Sequence, residues 1–169
     1  MNEQRTGRAD QVEGRIKHGV QIYMPPDSNI PTVTDTPGEG FQKDFMFMPC
    51  LAMDTVPEDL QPHCVSISAP DMPEIVIFDN GSFLEAGVDY SSQNPKTFDL
   101  DASYYLWSDS YFPGYFTFES VSTPGKFQRL IDDGKLAMAT FEDTKAFRNA
   151  ASFDLPTYST HRTFIYRFY

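Results

Sequence analysis

Apolar residues recur at every second position in short runs, and turn residues separate the runs. That period is the signature of half-buried strands. Ile16, Val20, Ile22 and Tyr23 predict a first pair of strands around Gly19. The stretch from Pro25 to Gly40 holds four prolines and two glycines without periodicity, and reads as a long surface loop. Phe41, Phe45, Phe47 and Met48 follow, then Val65-Ser66-Ile67. Ile75-Val76-Ile77-Phe78 runs into Asp79-Asn80-Gly81 and out to Phe83-Leu84, a strong hairpin signal. Phe116 and Phe118 alternate with polar neighbours. Leu130-Ile131, Asp132-Asp133-Gly134, Leu136 and Met138 predict a second hairpin. Phe164, Tyr166 and Phe168 alternate toward the C-terminus. One helical turn is expected, within Glu142–Ala151, and residues 1–14, polar and aperiodic, are expected to form a flexible segment. Many short strands at even spacing define an all-β sandwich or barrel.

Internal repetition favours the barrel. Val65 to Pro70, Phe78 to Ala86 and Lys96 to Leu100 align with Phe118 to Pro124, Ile131 to Ala139 and Ala151 to Leu155. In that alignment Phe98 matches Phe153. A fainter copy runs through Ile16–Ile22 and Phe41–Phe47. Three units of about fifty residues, each of roughly four strands, predict a β-trefoil that closes without free edges. The approximate repeats are 15–60, 61–112 and 113–160, with 161–169 as a closing strand, all in one domain spanning 15–169. Phe47, Phe98 and Phe153 are then expected in the core.

Composition narrows the partners. The 24 acidic residues outnumber the 13 basic ones, giving a net charge of −11. That balance argues against a nucleic-acid partner and an anionic membrane surface. No apolar run is long enough to insert in a bilayer, and Met1–Arg15 lacks the apolar core of a signal peptide. Cys50 and Cys64 are a possible disulfide that would close a loop of about 15 residues, worth roughly 3 kcal/mol; two buried free thiols are the alternative. His18, His63 and His161 have no metal-site spacing, and Asp79, Asp132 and Asp133 lack the spacing of a calcium loop. Neither a metal nor a cofactor is expected. No Gly-x-Ser-x-Gly element is present, and no carboxylate pair stands out, so no catalytic residue is assigned. Asn80-Gly81-Ser82 is a glycosylation sequon only in a secreted chain, and otherwise simply a turn.

Two stretches carry a family resemblance. Phe118-Glu119-Ser120-Val121-Ser122-Thr123-Pro124-Gly125-Lys126-Phe127 resembles the FESVNYPGYY stretch of arabinofuranose-binding domains, the carbohydrate-binding modules of α-L-arabinofuranosidases. Phe147-Arg148-Asn149-Ala150-Ala151-Ser152-Phe153 resembles their FRADATF stretch, and Phe41 to Pro49 fits it in the first copy. The likeness covers about 35 residues of the third copy clearly. It implies a β-trefoil with one pocket per repeat, where a histidine after Leu-Arg and the aspartate of FRAD bind sugar hydroxyls. Carried over, the glycan-binding pair is His18 and Asp44. The third-copy equivalents are Leu130 and Ala150, and the second-copy equivalents fall near Ile77 and Pro95. The resemblance implies a non-catalytic, lectin-like module, extracellular or secreted as part of a larger protein, with a glycan or polysaccharide as partner. The alternative is a structural or protein-interaction trefoil that has lost sugar binding and uses the aromatic cluster of Ser103–Tyr115, with Trp107 and Tyr111 as contacts.

Overall fold

The computed structural model describes residues 21–88, 95–155, 163–165 and 167–168. The expectations for residues 1–14, Ile16, His18, Gly19, Val20, His161 and Tyr166 lie outside these. The first strands are β1 (Gln21–Tyr23), β2 (Thr32–Thr34) and β3 (Asp44–Pro49). Two 3-10 segments, Met53–Thr55 and Glu58–His63, lead into β4 (Cys64–Ala69). The hairpin β5 (Met72–Asp79) and β6 (Leu84–Gly87) is followed by helix α1 (Pro95–Asp101) and β7 (Tyr104–Ser108). Then come β8 (Phe116–Ser120), the hairpin β9 (Lys126–Leu130) and β10 (Leu136–Thr140), helix α2 (Lys145–Ala150) and β11 (Phe153–Asp154). The chain finishes with β12 (Thr163–Ile165) and β13 (Arg167–Phe168).

The strands form one sheet in the order β12-β3-β4-β7-β8-β11-β13-β1-β2. Every paired strand is antiparallel to its neighbour. The last strands draw the ends of this path together, β12 lying on β3 while β13 lies on β11 and β1. The result is a nearly closed, barrel-like sheet. The hairpin β5–β6 hangs from β4, and the hairpin β9–β10 hangs from β8. Alternation explains the core: Phe45, Ile67, Tyr104, Phe118 and Phe153 point inward from the barrel strands, while Ile22, Ile77, Leu84 and Leu136 come from β1 and the hairpins.

Two stretches share one order of elements: β4 to β7, and β8 to β11. Each runs strand, hairpin, helix, strand. Both hairpins form where their turn residues predict them, about Asn80-Gly81 and about Asp133-Gly134. Gly81 and Gly134 both take positive φ, the conformation these turns require. The helices correct the sequence reading. Only α2 was expected, and it begins at Thr144, whose side chain accepts the Phe147 amide. Helix α1 is not predicted by the sequence, in which Phe98-Asp99-Leu100 matches Phe153-Asp154-Leu155 by letter.

The structure pairs those residues differently. Ala102 N donates to Phe98 O at 2.9 Å, and Ala151 N donates to Phe147 O at 2.9 Å. Ser103 Oγ donates to Asp99 O at 2.7 Å, as Ser152 Oγ does to Arg148 O at 2.7 Å. Phe98 therefore corresponds to Phe147, and Tyr104 to Phe153. Phe98 is half-buried on a helix instead of lying in the core, whereas Phe47 and Phe153 are buried. The Pro25–Gly40 stretch also departs from a plain loop, since β2 pairs with β1 inside it. Its Asn29 O accepts Ala86 N from one hairpin, and its Val33 N donates to Gly134 O of the other.

Candidate functional site

The corrected register moves the site. Asp79 stands opposite Leu84 across the β5–β6 hairpin, as Leu130 stands opposite Leu136 across β9–β10. Leu84 and Leu136 are both fully buried, which fixes the two hairpins in the same setting. Asp101 ends α1 as Ala150 ends α2. The second-copy equivalents of Leu130 and Ala150 are thus Asp79 and Asp101. The sequence alignment puts these equivalents near Ile77 and Pro95 instead, because it carries no sign of the helical turns of α1. Aligning Lys96-Thr97-Phe98 and Ala102-Ser103-Tyr104 with Lys145-Ala146-Phe147 and Ala151-Ser152-Phe153 would have found both acids.

Asp79 and Asp101 line one open cavity of about 550 Å³, with Phe78, Asn80, Thr97 and Phe98. The rings of Phe78 and Phe98 meet at 5.1 Å and 49°, forming an apolar wall. The turn is braced from within. Asp79 Oδ1 accepts Gly81 N at 2.9 Å, and Asn80 Oδ1 accepts Ser82 N and Phe83 N. Asn80 Nδ2 donates to Glu85 Oε1 at 2.9 Å. Asp101 is half-buried, and burial pushes its carboxyl upward. A hydrogen bond with Ser122 opposes that rise, and the nearby Asp79 charge adds to it. Below them, buried Tyr104 donates its hydroxyl to Ile77 O at 3.1 Å. Burial, then Asp79 and Asp101, hold that phenol neutral far into the alkaline range. This arrangement offers hydrogen-bond acceptors beside an apolar wall.

The corresponding cavity of the β8–β11 stretch, about 460 Å³, is lined by Leu130 and Ala150 in place of the acids, and by Arg129 and Asp132. Val33 to Asp35, from β2 and just beyond it, also line it. Asp44 is exposed at the start of β3, paired with Ile165. Its intended partner, His18, lies outside the described residues. Trp107 and Tyr111 sit in separate aromatic groups. Trp107 is half-buried, lies 4.6 Å from the His63 ring and 5.9 Å from Tyr105, and donates Nε1–H to Glu119 Oε1 at 2.8 Å. Tyr111 sits among Phe127, Phe141 and Phe147. Its phenol is pushed up to about 12, first by burial and then by Glu119. Cys50 and Cys64 are joined in a disulfide, their Cα atoms 5.3 Å apart. Among the described residues no group of three or more His, Cys, Asp or Glu side chains is gathered to hold a metal.

Among solved structures this chain is similar to interleukin-36alpha, a pro-inflammatory cytokine, at 14% identity over 88% of this chain and 86% of that one, with a TM-score of 0.50. It is also similar to a hydrophobic cavity mutant of chicken IL-1, at 13% identity over 90% and 91%, again with a TM-score of 0.50. The fold is β-trefoil-like. The trefoil also resembles part of a GH54 α-L-arabinofuranosidase soaked with 4-nitrophenyl α-L-arabinofuranoside, at 20% identity over 74% of this chain and a TM-score of 0.44. This chain spans 22% of that arabinofuranosidase chain. No family model and no curated protein sequence matches the trefoil.

Proposed function

We propose that this chain is a non-catalytic carbohydrate-binding domain, a trefoil of three repeats whose principal pocket lies in the second repeat. The observation that carries this reading is the pair Asp79 and Asp101 in one cavity, at the positions that Leu130 and Ala150 occupy in the third. Sugar hydroxyls donate well to carboxylates, and such charge-assisted bonds are the stronger kind. The Phe78 and Phe98 wall suits the apolar face of a sugar ring. Leucine and alanine offer nothing to a hydroxyl, so in this reading the third-repeat cavity lacks the paired acids, although Asp35, Arg129 and Asp132 also line it. Two further features support it: the likeness of Phe118–Phe127 and Phe147–Phe153 to arabinofuranose-binding domains, and a disulfide of the kind kept in secreted proteins. His18 and Asp44 stand in this proposal as a first-repeat pocket of the same type, and the glycan is a neutral pentose or another neutral sugar.

Affinity electrophoresis on arabinoxylan, arabinan and animal glycans tests this. Asp79→Asn and Asp101→Asn are each expected to reduce retention about tenfold without unfolding the domain. His18→Ala and Asp44→Ala report separately on the first repeat. Full retention in both Asp79→Asn and Asp101→Asn rejects the second-repeat pocket. No retention of the unaltered chain on any glycan rejects sugar binding. That outcome favours the second reading, a protein-interaction trefoil, for which the exposed Phe141 stacked on Tyr111 is the specific support.

A further inference from the structure

Another cavity, of about 450 Å³, lies on the Gly87 side of the β5–β6 hairpin, between the β4–β5 turn and the start of the Pro25–Gly40 stretch, the Pro-rich insertion between β1 and β3. Its apolar lining includes Met24, Pro25, Pro70, Met72, Ile75 and Val88, and its polar side chains are Ser28, Asn29 and Gln42. None of the described residues lining it is charged, in a chain where 22% of residues are. Acids are so common on this molecule that a neutral concavity of this size is a distinct chemical environment.

The walls are tied together. Met24 N donates to Gln42 O at 2.7 Å, and Gln42 N donates to Met24 O at 3.0 Å. Gln42 Nε2 reaches Asp71 Oδ2 at 3.2 Å, tying the insertion to the β4–β5 turn. Ala86 N donates to Asn29 O at 2.6 Å, and Asn29 Nδ2 donates to Glu85 Oε2 at 2.9 Å. Gly40 sits against Pro26, whose Cγ would lie 3.2 Å from any added Cβ. The cavity therefore exists before a ligand arrives, so little ordering cost falls on binding.

We infer that this cavity binds a small, uncharged, largely apolar molecule. Its volume falls within the range of small-molecule sites, roughly 300–1,000 Å³, and its walls combine apolar side chains with a nearly equal share of polar, uncharged surface. An ionised ligand would lose its hydration here: no charged side chain among the described residues lines the walls, and the neighbouring Asp71 and Glu85 carboxylates are already bonded to Gln42 and Asn29. An extended peptide could not add as a strand along Met24 and Gln42, whose backbone groups already pair with each other. Met72 is 49% exposed and flexible, and supplies an adaptable apolar contact.

The test is a fluorescence titration of the full chain with N-phenyl-1-naphthylamine, a neutral apolar probe, at native pH. One saturable site per chain is expected. Met72→Asp places a charge in the lining and should weaken the probe at least tenfold, whereas Met72→Leu should retain it. Phe141→Ala removes the other large exposed apolar side chain among the described residues and should leave binding unchanged. Amide shift changes on probe addition should centre on Met24, Gly40 and Gly87. Non-saturating binding, equal affinity in Met72→Asp, or loss of binding in Phe141→Ala would each overturn the assignment.

Discussion

Asp101 is held where a carboxylate is disfavoured. Burial raises its pKa most, the Asp79 charge raises it further, and the Ser122 hydrogen bond recovers part of the difference. The folded chain therefore binds the Asp101 proton more tightly than the unfolded chain does. On that account stability declines as pH rises from the unfolded carboxyl value of 3.8 through the raised folded value. Asp101→Asn removes this penalty. Thermal melts should show the variant above the parent at pH 7 and level with it at pH 3; a variant less stable at pH 7 would contradict this account. The same substitution should weaken glycan retention. A residue whose removal stabilises the fold while disabling the pocket is one kept for binding.

Hairpin turns differ in what they tolerate. Gly134 has φ +81, and an added Cβ would meet Val33 O at 3.0 Å. Gly81 has φ +98, but nothing lies within 4 Å of an added Cβ. Gly81→Ala should cost about 1–2 kcal/mol for its left-handed backbone alone. Gly134→Ala should cost more, because β2 must also shift; urea unfolding of the pair checks the order. These hairpins were legible because turn chemistry is local: Asn-Gly and Asp-Gly constrain the residues that carry them. Helix α1 was hidden by its shortness and by the accidental match of Phe-Asp-Leu. It starts at Pro95, which suits a first helical turn, but a helix of seven residues depends on tertiary packing more than on its own propensities. Strand β2 has three residues, and its pairing with β1 spans a Pro-rich bend that reads as loop. The pocket acids were out of reach for the same reason as α1. Without the helix register, Asp101 has no counterpart and Asp79 is only a turn residue.

Among the described residues two buried apolar clusters stand beside the aromatic group of Tyr111, Phe127, Phe141 and Phe147. The larger fills the barrel and its hairpins, and the smaller gathers Ala52, Val56, Tyr105 and Val121 about the Cys50–Cys64 bridge. The bridge closes a loop whose loss should cost roughly 3 kcal/mol on the chain-entropy account. For a chain of this size that corresponds to a fall in Tm of roughly 6–12 °C. Melts with and without reductant measure it, and an unchanged Tm would mean that the smaller cluster holds this region without the bridge. The Pro-rich insertion has a different role. Its bonds to Ala86 and Gly134 join two hairpins that are distant in sequence. Those partners come into place only when both hairpins have docked, since closing such long loops beforehand would carry their full entropic cost. The insertion accordingly works as a cross-tie: the seating of either hairpin is felt by the other through the few residues between Asn29 and Val33.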